Sequence, residues 1–372
     1  MKTFSDLGVS DTFVKALSEN KIIKPTEIQV KAIPFLILKG TDFIGQAQTG
    51  TGKTAAFGLP LLQALNPESA KIQALILSPT RELVQQIAKQ LFKFTKHAPK
   101  KIFIESVFGG PNIEEQIRTL KRPTHIVVAT PGRLIDLLDR KAIDLSSIKT
   151  IVLDEADEML SMGFKKELDT ILRFTEGKRH TWLFSATMPQ ETKAIIANYM
   201  SPNAMQIEVN KHDIINKNIE HKFVYCESNE KANILFNFLK TQGENRGVIF
   251  CRTKAGVQAL AKLLFAKNLH ADALHGDMLQ KERDKVMRAF KNKNLQILVA
   301  TDLAARGIDV EELAYVVHYQ LPEKVEYYTH RSGRTARAGL KGFSLSLISR
   351  EEHVNLKNIE KSLGITIKEL HQ

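Results

Sequence analysis

The sequence predicts an α/β protein with two tandem domains, each a mainly parallel sheet covered by helices on both faces. Short, nearly continuous apolar segments alternate with longer segments of helical periodicity, which is the pattern of buried parallel strands and their connecting helices. A polar segment at 210–218 interrupts this alternation, so we expect domains at 1–209 and 219–372 with a linker between them. A length of 372 residues is enough to give each domain its own core.

The order of the apolar segments predicts the elements of each domain. A short helix is expected after Ser10, and a second helix is expected with Thr26 as its cap. First-domain strands are predicted at 43–45, 74–77, 102–107, 126–129, 151–153, 181–184 and 205–209, with helices such as 81–95 and 112–120. Second-domain strands are predicted at 219–226, 248–251, 271–274, 297–300, 315–318 and 343–347. A last helix at 351–363 should end at Gly364, because glycine readily adopts the left-handed conformation of a helix C-terminus.

The net charge of +12 leaves two interpretations open. It favours a polyanionic partner such as nucleic acid, and it is equally compatible with a merely basic, solvated surface. No apolar run approaches 18 residues and the N-terminus lacks an apolar signal region, so neither a transmembrane helix nor a leader is expected. Cys226 and Cys251 are expected on buried strands as small apolar residues, which indicates a reduced, cytoplasmic compartment.

The segment 47–54 has the features of a phosphate-binding loop, because it lies between a short apolar strand and a helical segment. Gly50 and Gly52 allow successive N–H groups to face one anion, and the helix start adds its positive end. Lys53 should reach the outer phosphates, and the Thr54 hydroxyl suits Mg²⁺. The nucleotide-binding candidates of the loop are Ala47, Gln48, Thr49, Gly50, Thr51, Gly52, Lys53 and Thr54.

Two features of this segment limit the interpretation. Ala47 stands where the usual pattern begins with glycine, and a plain glycine-rich turn between strand and helix is the alternative. Pro60 falls inside the expected helix and should either kink it or remove one hydrogen bond.

A second group of candidates follows the apolar segment 151–153. Asp154 and Glu155 come directly after this expected strand, at the edge of a parallel sheet where ligands bind. Asp154 is the candidate for the Mg²⁺ side, and Glu155 is the candidate that polarises the attacking water. The alternative is an acidic helix start, which also favours Asp and Glu.

The four residues at 154–157, Asp-Glu-Ala-Asp, are those that name the DEAD-box family of ATP-dependent RNA helicases, and the chain resembles this family from about residue 4 to 342. The further matching motifs are Pro-Thr-Glu-Ile-Gln at 25–29, Pro-Thr-Arg-Glu-Leu at 79–83, Gly-Gly at 109–110, Thr-Pro-Gly-Arg at 130–133 and Ser-Ala-Thr at 185–187, with 248–251, 280–283, 301–309 and 330–337 in the second domain. The resemblance implies two RecA-like domains, ATP and Mg²⁺ as cofactors, and RNA as the partner.

The resemblance also assigns roles around the nucleotide. Gln29 would read the adenine edge through its carboxamide, which can both donate and accept, and Phe4 would offer a flat face to the base. An ordinary surface glutamine and a core phenylalanine are the alternatives. Arg334 and Arg337 would act on the γ-phosphate, with Asp309 at the ribose and Gly307 in the same ATP-binding motif. A solvated basic surface or RNA contact alone is the alternative for these arginines.

RNA contacts and coupling residues follow from the same resemblance. The backbone of single-stranded or short duplex RNA would be contacted by Arg81, Gly110, Thr130, Arg133, Arg283 and Thr301. Hydrolysis would be linked to duplex opening by Asp157, Ser185, Thr187 and His330. Backbone contacts carry no sequence information, so binding without sequence preference is expected. The chain is expected to act as a monomer, without a structural metal.

Three residues depart from the family pattern: Lys21 and Ala336 stand where the family has glycine, and Ser332 stands where it has isoleucine. Two other activities remain open beside unwinding. An ATP-dependent RNA clamp would need the same motifs, and a DNA-directed translocase would share the same core.

Overall fold

The computed structural model describes residues 2–48, 50–175, 177, 179–209, 218–305, 313–336 and 340–370. The chain divides into two compact units, Met1–Val209 (unit 1) and Asn210–Gln372 (unit 2). Within the described residues each unit contains one sheet of seven parallel strands covered by helices, which confirms the predicted fold class. The proposed linker at 210–218 lies, except for Asn218, outside the described residues.

Unit 1 contains strands β1 to β7 in the spatial order β3-β4-β2-β5-β6-β1-β7. The strands are β1 (Phe43–Gln46), β2 (Ala74–Leu77), β3 (Ile104–Val107), β4 (Ile126–Ala129), β5 (Thr150–Asp154), β6 (His180–Ser185) and β7 (Met205–Glu208). The helices are α1 (Asp11–Glu19), α2 (Glu27–Lys39), α3 (Lys53–Ala64), α4 (Arg81–Phe94), α5 (Ile113–Leu120), α6 (Pro131–Asp139), α7 (Ala156–Ser161), α8 (Lys165–Phe174) and α9 (Gln190–Tyr199). Every strand predicted in this unit is present, with ends shifted by at most two residues.

Unit 2 repeats the same arrangement with strands β8 to β14, in the order β10-β11-β9-β12-β13-β8-β14. The strands are β8 (Ile219–Tyr225), β9 (Gly247–Phe250), β10 (Ala271–Leu274), β11 (Ile297–Ala300), β12 (Tyr315–His318), β13 (Gly342–Ile348) and β14 (Lys368–Glu369). The helices are α10 (Lys231–Thr241), α11 (Lys254–Ala266), α12 (Gln280–Lys291), α13 (Asp302–Ala305), α14 (Val325–Ser332) and α15 (His353–Leu363). Numbered within its own unit, each sheet has the order 3-4-2-5-6-1-7. The two-residue strand β14 was not predicted, because it is short and fully exposed.

The helix boundaries follow from capping. Thr26 and Gln29 form a capping box at the start of α2, and the Thr80 hydroxyl accepts from the Leu83 N–H at the start of α4. Gly364 ends α15 with a φ of 64°, as predicted. Pro60 lies inside α3 and the helix continues to Ala64, so this proline does not end it.

Both departures from glycine fall at left-handed backbone positions. Lys21 has a φ of 60° and Ala336 a φ of 57°. Residues with a side chain avoid this region, at a cost of roughly 1–2 kcal/mol each, which explains why glycine is usual there. The Ala336 methyl group is buried in the hydrophobic core beside α14 and α15, and this packing offsets part of the cost.

A buried ion pair joins two segments of unit 2. The Arg331 guanidinium, only 1% exposed, donates to Asp302 through Nε at 2.5 Å and Nη2 at 2.7 Å. Its Nη1 donates to the Gln320 carbonyl at 2.7 Å, and its Cζ lies 5.2 Å from the Phe250 ring centre. Arg331 therefore connects the last residue of β9 with residues that follow β11 and β12. No helix in the described part of the chain is long and apolar enough to cross a membrane.

Removing one partner of this pair should destabilise unit 2. Asp302→Asn leaves the Arg331 charge buried without its counterion, and we expect a loss of about 3 kcal/mol in the free energy of unfolding. Urea denaturation followed by circular dichroism measures it. Trp182, the one tryptophan of the sequence, reports on unit 1, so the midpoint of its fluorescence transition should not move.

Asp277→Asn is the matched control, because it breaks the exposed Lys254–Asp277 pair in the same unit. Exposed pairs contribute less than about 1 kcal/mol. Equal effects of the two substitutions would contradict a structural role for the Arg331–Asp302 pair.

Candidate functional site

The candidate residues of unit 1 follow the carboxyl ends of strands that are neighbours in the sheet. Pairing is parallel throughout, so all of these ends lie at one edge. β5, β6 and β1 are followed by the acidic motif, the Ser-Ala-Thr motif and the glycine-rich loop. β3, β4 and β2 are followed by the three motifs assigned to RNA. We call the part of the edge with the predicted nucleotide motifs the nucleotide side and the part with the motifs predicted to contact RNA the RNA side; the two meet between β2 and β5.

The glycine-rich loop has the backbone conformation that its glycines predict. Gly50 and Gly52 have φ angles of 81° and 86°, and Gly52 caps α3, whose first residue is Lys53. A Cβ atom at Gly52 would collide with the side-chain nitrogen of Gln29, so glycine is required there for space as well as for conformation. The Thr51 hydroxyl donates to the Gln48 carbonyl at 2.7 Å inside the loop. Thr49 lies outside the described residues.

Lys53 provides a buried positive charge at this loop. Its side chain is 6% exposed, and its Nζ has no hydrogen-bond partner among the described residues. A buried ammonium without a partner is unfavourable, and an anion at the start of α3 would satisfy it together with the N–H groups of the loop. Thr54, the next residue, is half-buried in the first turn of the helix.

The acidic motif begins at the last residue of β5. Asp154 and Glu155 are buried, at 5% and 8% exposure. Burial raises the pKa of the Asp154 carboxyl, the Glu155 and Asp157 carboxylates add to this, and the Lys53 ammonium opposes it. Glu155 has a φ of 54°, a left-handed conformation that is uncommon outside glycine and concentrated at functional sites. The Asp154 carboxylate at the end of β5 and the Lys53 ammonium at the start of α3 influence each other, and such a pair fits a Mg²⁺–triphosphate group.

Ser185 joins the three motifs of the nucleotide side. Its carbonyl accepts from the Ala47 N–H at 3.0 Å, and its hydroxyl accepts from the Asp157 N–H at 3.2 Å. The same hydroxyl donates to the Thr187 carbonyl at 2.7 Å. Asp157 Oδ2 in turn accepts from the Thr187 N–H at 2.8 Å and from the Thr187 hydroxyl at 2.6 Å. Three of the four residues assigned to coupling therefore form one hydrogen-bonded group.

Gln29 and Phe4 are both buried, at 3% exposure each. The Gln29 carboxamide donates to the Gly52 carbonyl at 3.0 Å and accepts from the Thr26 N–H at 2.9 Å, which leaves one N–H and one lone pair for a base. It therefore links the start of α2 to the phosphate loop. Phe4 packs in the hydrophobic core, as its alternative interpretation proposed. The adenine-reading roles of both residues stay predictions.

The RNA side of unit 1 is built from helix starts and one loop. Arg81 begins α4 after β2, and Thr130 caps α6 after β4. Gly110, exposed with a φ of 112°, follows β3. The Arg133 guanidinium donates to the Pro111 carbonyl at 3.2 and 3.3 Å, which holds the loop after β3 against α6.

In unit 2 the structure describes part of the candidate set. Thr301 follows β11, and Arg283 lies on α12, which follows the neighbouring strand β10. These positions correspond to the RNA side of unit 1. Arg334 is 9% exposed, and its Nε donates to the carbonyl of His330 at 3.2 Å. Gly307, Asp309 and Arg337 lie outside the described residues.

Sequence reasoning missed two connections at these edges. The carbonyl of Ser185 holds the start of the phosphate loop, and no sequence pattern signals a backbone contact of this kind. Arg331 lies in the motif at 330–337 and was given no role of its own, yet it is the largest fully buried side chain among the described residues. The acidic Asp302, two residues after β11, was the available signal, since a buried arginine needs a partner.

Two compact α/β units share one strand order, and in unit 1 a glycine-rich loop and a buried carboxylate lie at the same edge of the sheet. These features define a nucleotide-dependent enzyme of the RecA-like class. Family models agree: the DEAD/DEAH box helicase model matches residues 26–195, and the helicase conserved C-terminal domain model matches residues 230–339. The chain belongs to the DEAD-box family of ATP-dependent RNA helicases.

Its relatives include the ATP-dependent RNA helicase CshA of Limosilactobacillus reuteri, 44% identical over 96% of this chain and 71% of the relative. The DEAD-box ATP-dependent RNA helicase CshA of Bacillus cereus is 40% identical over 97% of this chain and 68% of the relative. Among solved structures, S. cerevisiae Dbp5 bound to RNA and ADP BeF3 is 31% identical with a TM-score of 0.89. That match covers 100% of this chain and 96% of the other.

The hydrogen bonds between Thr187 and Asp157 generate a prediction about coupling. Thr187→Val removes the hydroxyl bond to a carboxylate, which contributes about 1.5–3 kcal/mol, while the backbone bond remains. We expect strand displacement of a short RNA duplex to fall roughly 10- to 100-fold, in line with that energy. RNA-stimulated ATP hydrolysis should stay within a few-fold of the parent rate. Parallel displacement and phosphate-release assays measure the two.

Thr192→Val is the matched control in the same unit, because the buried Thr192 hydroxyl has no hydrogen-bond partner among the described residues. It should leave both rates unchanged. If Thr187→Val lowered ATP hydrolysis and strand displacement equally, the hydrogen-bonded group of Asp157, Ser185 and Thr187 would serve the chemical step and not coupling.

Proposed function

We propose that this DEAD-box protein couples RNA-stimulated ATP hydrolysis to local opening of short RNA duplexes or remodelling of RNA–protein complexes. The observation that carries the proposal is the buried Lys53 ammonium, which lacks a partner among the described residues and lies on the same sheet edge as the RNA motifs. One edge can then hold both a triphosphate and an RNA backbone, so occupation of one side can influence the other.

The proposed nucleotide chemistry uses the residues of the loop and the acidic motif. Lys53 and the N–H groups at the start of α3 bind the outer phosphates. Asp154 and Thr54 would hold Mg²⁺, mostly through water, and the ion supplies charge neutralisation at the phosphates when bound. Glu155 orients the attacking water and accepts its proton. Arg334 and Arg337 stabilise the charge that develops on the γ-phosphate.

The proposed RNA contacts are made to the backbone. Arginine suits phosphate oxygens because its guanidinium is planar and always charged, and such contacts do not read sequence. The solved structure of Dbp5 bound to RNA supports RNA as the ligand. His330 and the group formed by Asp157, Ser185 and Thr187 link hydrolysis to the RNA side.

We also propose a monomer in a reducing, cytoplasmic environment. Cys226 and Cys251 are buried free thiols, as expected, but each lies one residue beyond the end of the strand on which it was predicted. Burial raises the pKa of Cys251 to about 12, so this thiol stays protonated and unreactive at neutral pH.

Substitution of Glu155 tests the proposed function most directly. The parent chain should release phosphate faster with single-stranded RNA than without it, and it should displace a short RNA strand. Glu155→Gln keeps the size of the side chain but removes the base, so kcat should fall roughly 10²- to 10⁴-fold. ATP-dependent RNA binding, measured by fluorescence anisotropy, should remain.

Glu191→Gln serves as the control, because Glu191 is an exposed carboxylate in the first turn of α9. Phosphate release by the Glu155→Gln protein at the parent rate would remove Glu155 from its role. Parent hydrolysis with no strand displacement would favour the RNA clamp instead.

The salt dependence of RNA binding tests the backbone contacts. Each phosphate contact on a single strand contributes a slope of about −0.7 in log K against log salt, so the three arginines Arg81, Arg133 and Arg283 predict a slope of at least about −2. Arg133→Met should make the slope shallower by about 0.7.

Arg140→Met is the comparison, because Arg140 is exposed at the end of the same helix and pairs with Glu114. It should leave the slope unchanged. A flat salt response of the parent chain would contradict binding through phosphates.

A further inference from the structure

A buried polar cluster in unit 2 lies beneath the turn that carries Arg334. Its central residue is His318, the last residue of β12, with Ser332 from α14 and Ser344 from β13. All three are completely buried. Buried polar groups are normally hydrogen-bonded. The side chains of these three residues form hydrogen bonds with one another.

The contacts of His318 select one tautomer of its ring. Arg331 Nη1 lies 3.4 Å from His318 Nδ1, and a guanidinium can only donate, so Nδ1 must accept. The ring hydrogen is therefore on Nε2, which lies 3.1 Å from Ser344 Oγ and 3.3 Å from Ser332 Oγ. The two hydroxyls are 3.0 Å apart and bond to each other. Burial, Arg331 and His221 hold the pKa of His318 well below its usual range, so the ring is neutral.

The cluster is connected to Arg334 through α14. The His318 ring stacks on the Tyr328 ring of α14, with centres 4.4 Å apart and planes 7° apart. Arg331, on the next turn of the helix, accepts the Arg334 N–H at its carbonyl at 3.0 Å. His318 thus contacts the helix through Tyr328, Arg331 and Ser332, immediately before the chain reaches Arg334.

Ser332 is one of the residues that depart from the family pattern, where isoleucine is usual. Isoleucine cannot accept a hydrogen bond, so this chain uses a hydroxyl where an apolar contact is the norm. The hydroxyl holds Nε2 of His318, and this leaves Nδ1 directed at Arg331.

We propose that His318, whose Nε2 is held by Ser332 and Ser344, is a positioning residue for ATP hydrolysis that fixes Arg331 and thereby the turn presenting Arg334. The inference rests on the role proposed above for Arg334 in hydrolysis. The inference adds that the polar cluster sets the orientation of Arg334.

The test is a double-mutant comparison of RNA-saturated ATP hydrolysis. His318→Phe keeps the stacked ring but removes both nitrogens, and Ser344→Ala removes one hydroxyl without changing α14. A small misplacement of a catalytic group can cost up to about 100-fold, so His318→Phe should lower kcat roughly 10- to 100-fold and Ser344→Ala less. The KM for ATP should change little, because the loss affects the transition state. In an Arg334→Ala background neither substitution should lower kcat further.

Thr329→Val is the matched control on the same helix, because the buried Thr329 hydroxyl has no hydrogen-bond partner among the described residues. It should keep the parent kcat. The unfolding midpoints of all variants show whether a loss of activity reflects lost positioning or lost folding. If His318→Phe does not fold, Ser344→Ala alone provides the test.

The outcomes are distinguishable. Parent kcat in both variants, or the same fold-loss with and without Arg334, would overturn the inference while the proposed function stands. Parent kcat in the Arg334→Ala protein itself would overturn the proposed role of Arg334, and the inference with it.

Discussion

Parallel pairing is the constraint on which the rest of this structure depends. In a parallel sheet every strand leaves at the same edge, so a residue that directly follows a strand is brought next to the residues that follow its neighbours. In unit 1 this rule places the segments after β5, β6 and β1 together, although β1 ends more than 100 residues before β5 does. Ser185 shows the result, since this one serine contacts Ala47 of the phosphate loop and Asp157 of the acidic motif.

Much of this arrangement follows from sequence alone. The strands of unit 1 were predicted because each is short, apolar and bounded by polar residues, and Gly50 and Gly52 had the conformations their type suggested. Spatial order was not predictable from pattern, because adjacency in the sheet is decided by how helices pack on its faces. The bonds of Gln29 to Gly52 and Thr26 were not predicted either, since they depend on how α2 meets the phosphate loop.

The departures from the family pattern acquire a physical meaning in the structure. Lys21 and Ala336 occupy left-handed positions where a side chain costs energy, and the methyl group of Ala336 recovers part of that cost by burial. At position 332 the family pattern has the hydrocarbon side chain of isoleucine, whereas this chain has a serine hydroxyl with two hydrogen-bond partners. Unit 2 therefore relies on polar contacts beneath the turn that carries Arg334.

The shared strand order of the two units makes Lys231 the counterpart of Lys53, because each is the first residue of the helix after the sixth strand across its sheet. The Lys231 ammonium donates to the Leu347 carbonyl at 2.9 Å and lies 3.4 Å from Glu352. The Glu352 carboxylate compensates the charge of this ammonium, so Lys231 attracts an anion less strongly than Lys53, whose Nζ has no partner among the described residues. Two units of common architecture therefore differ at this position, and only unit 1 offers an uncompensated ammonium there.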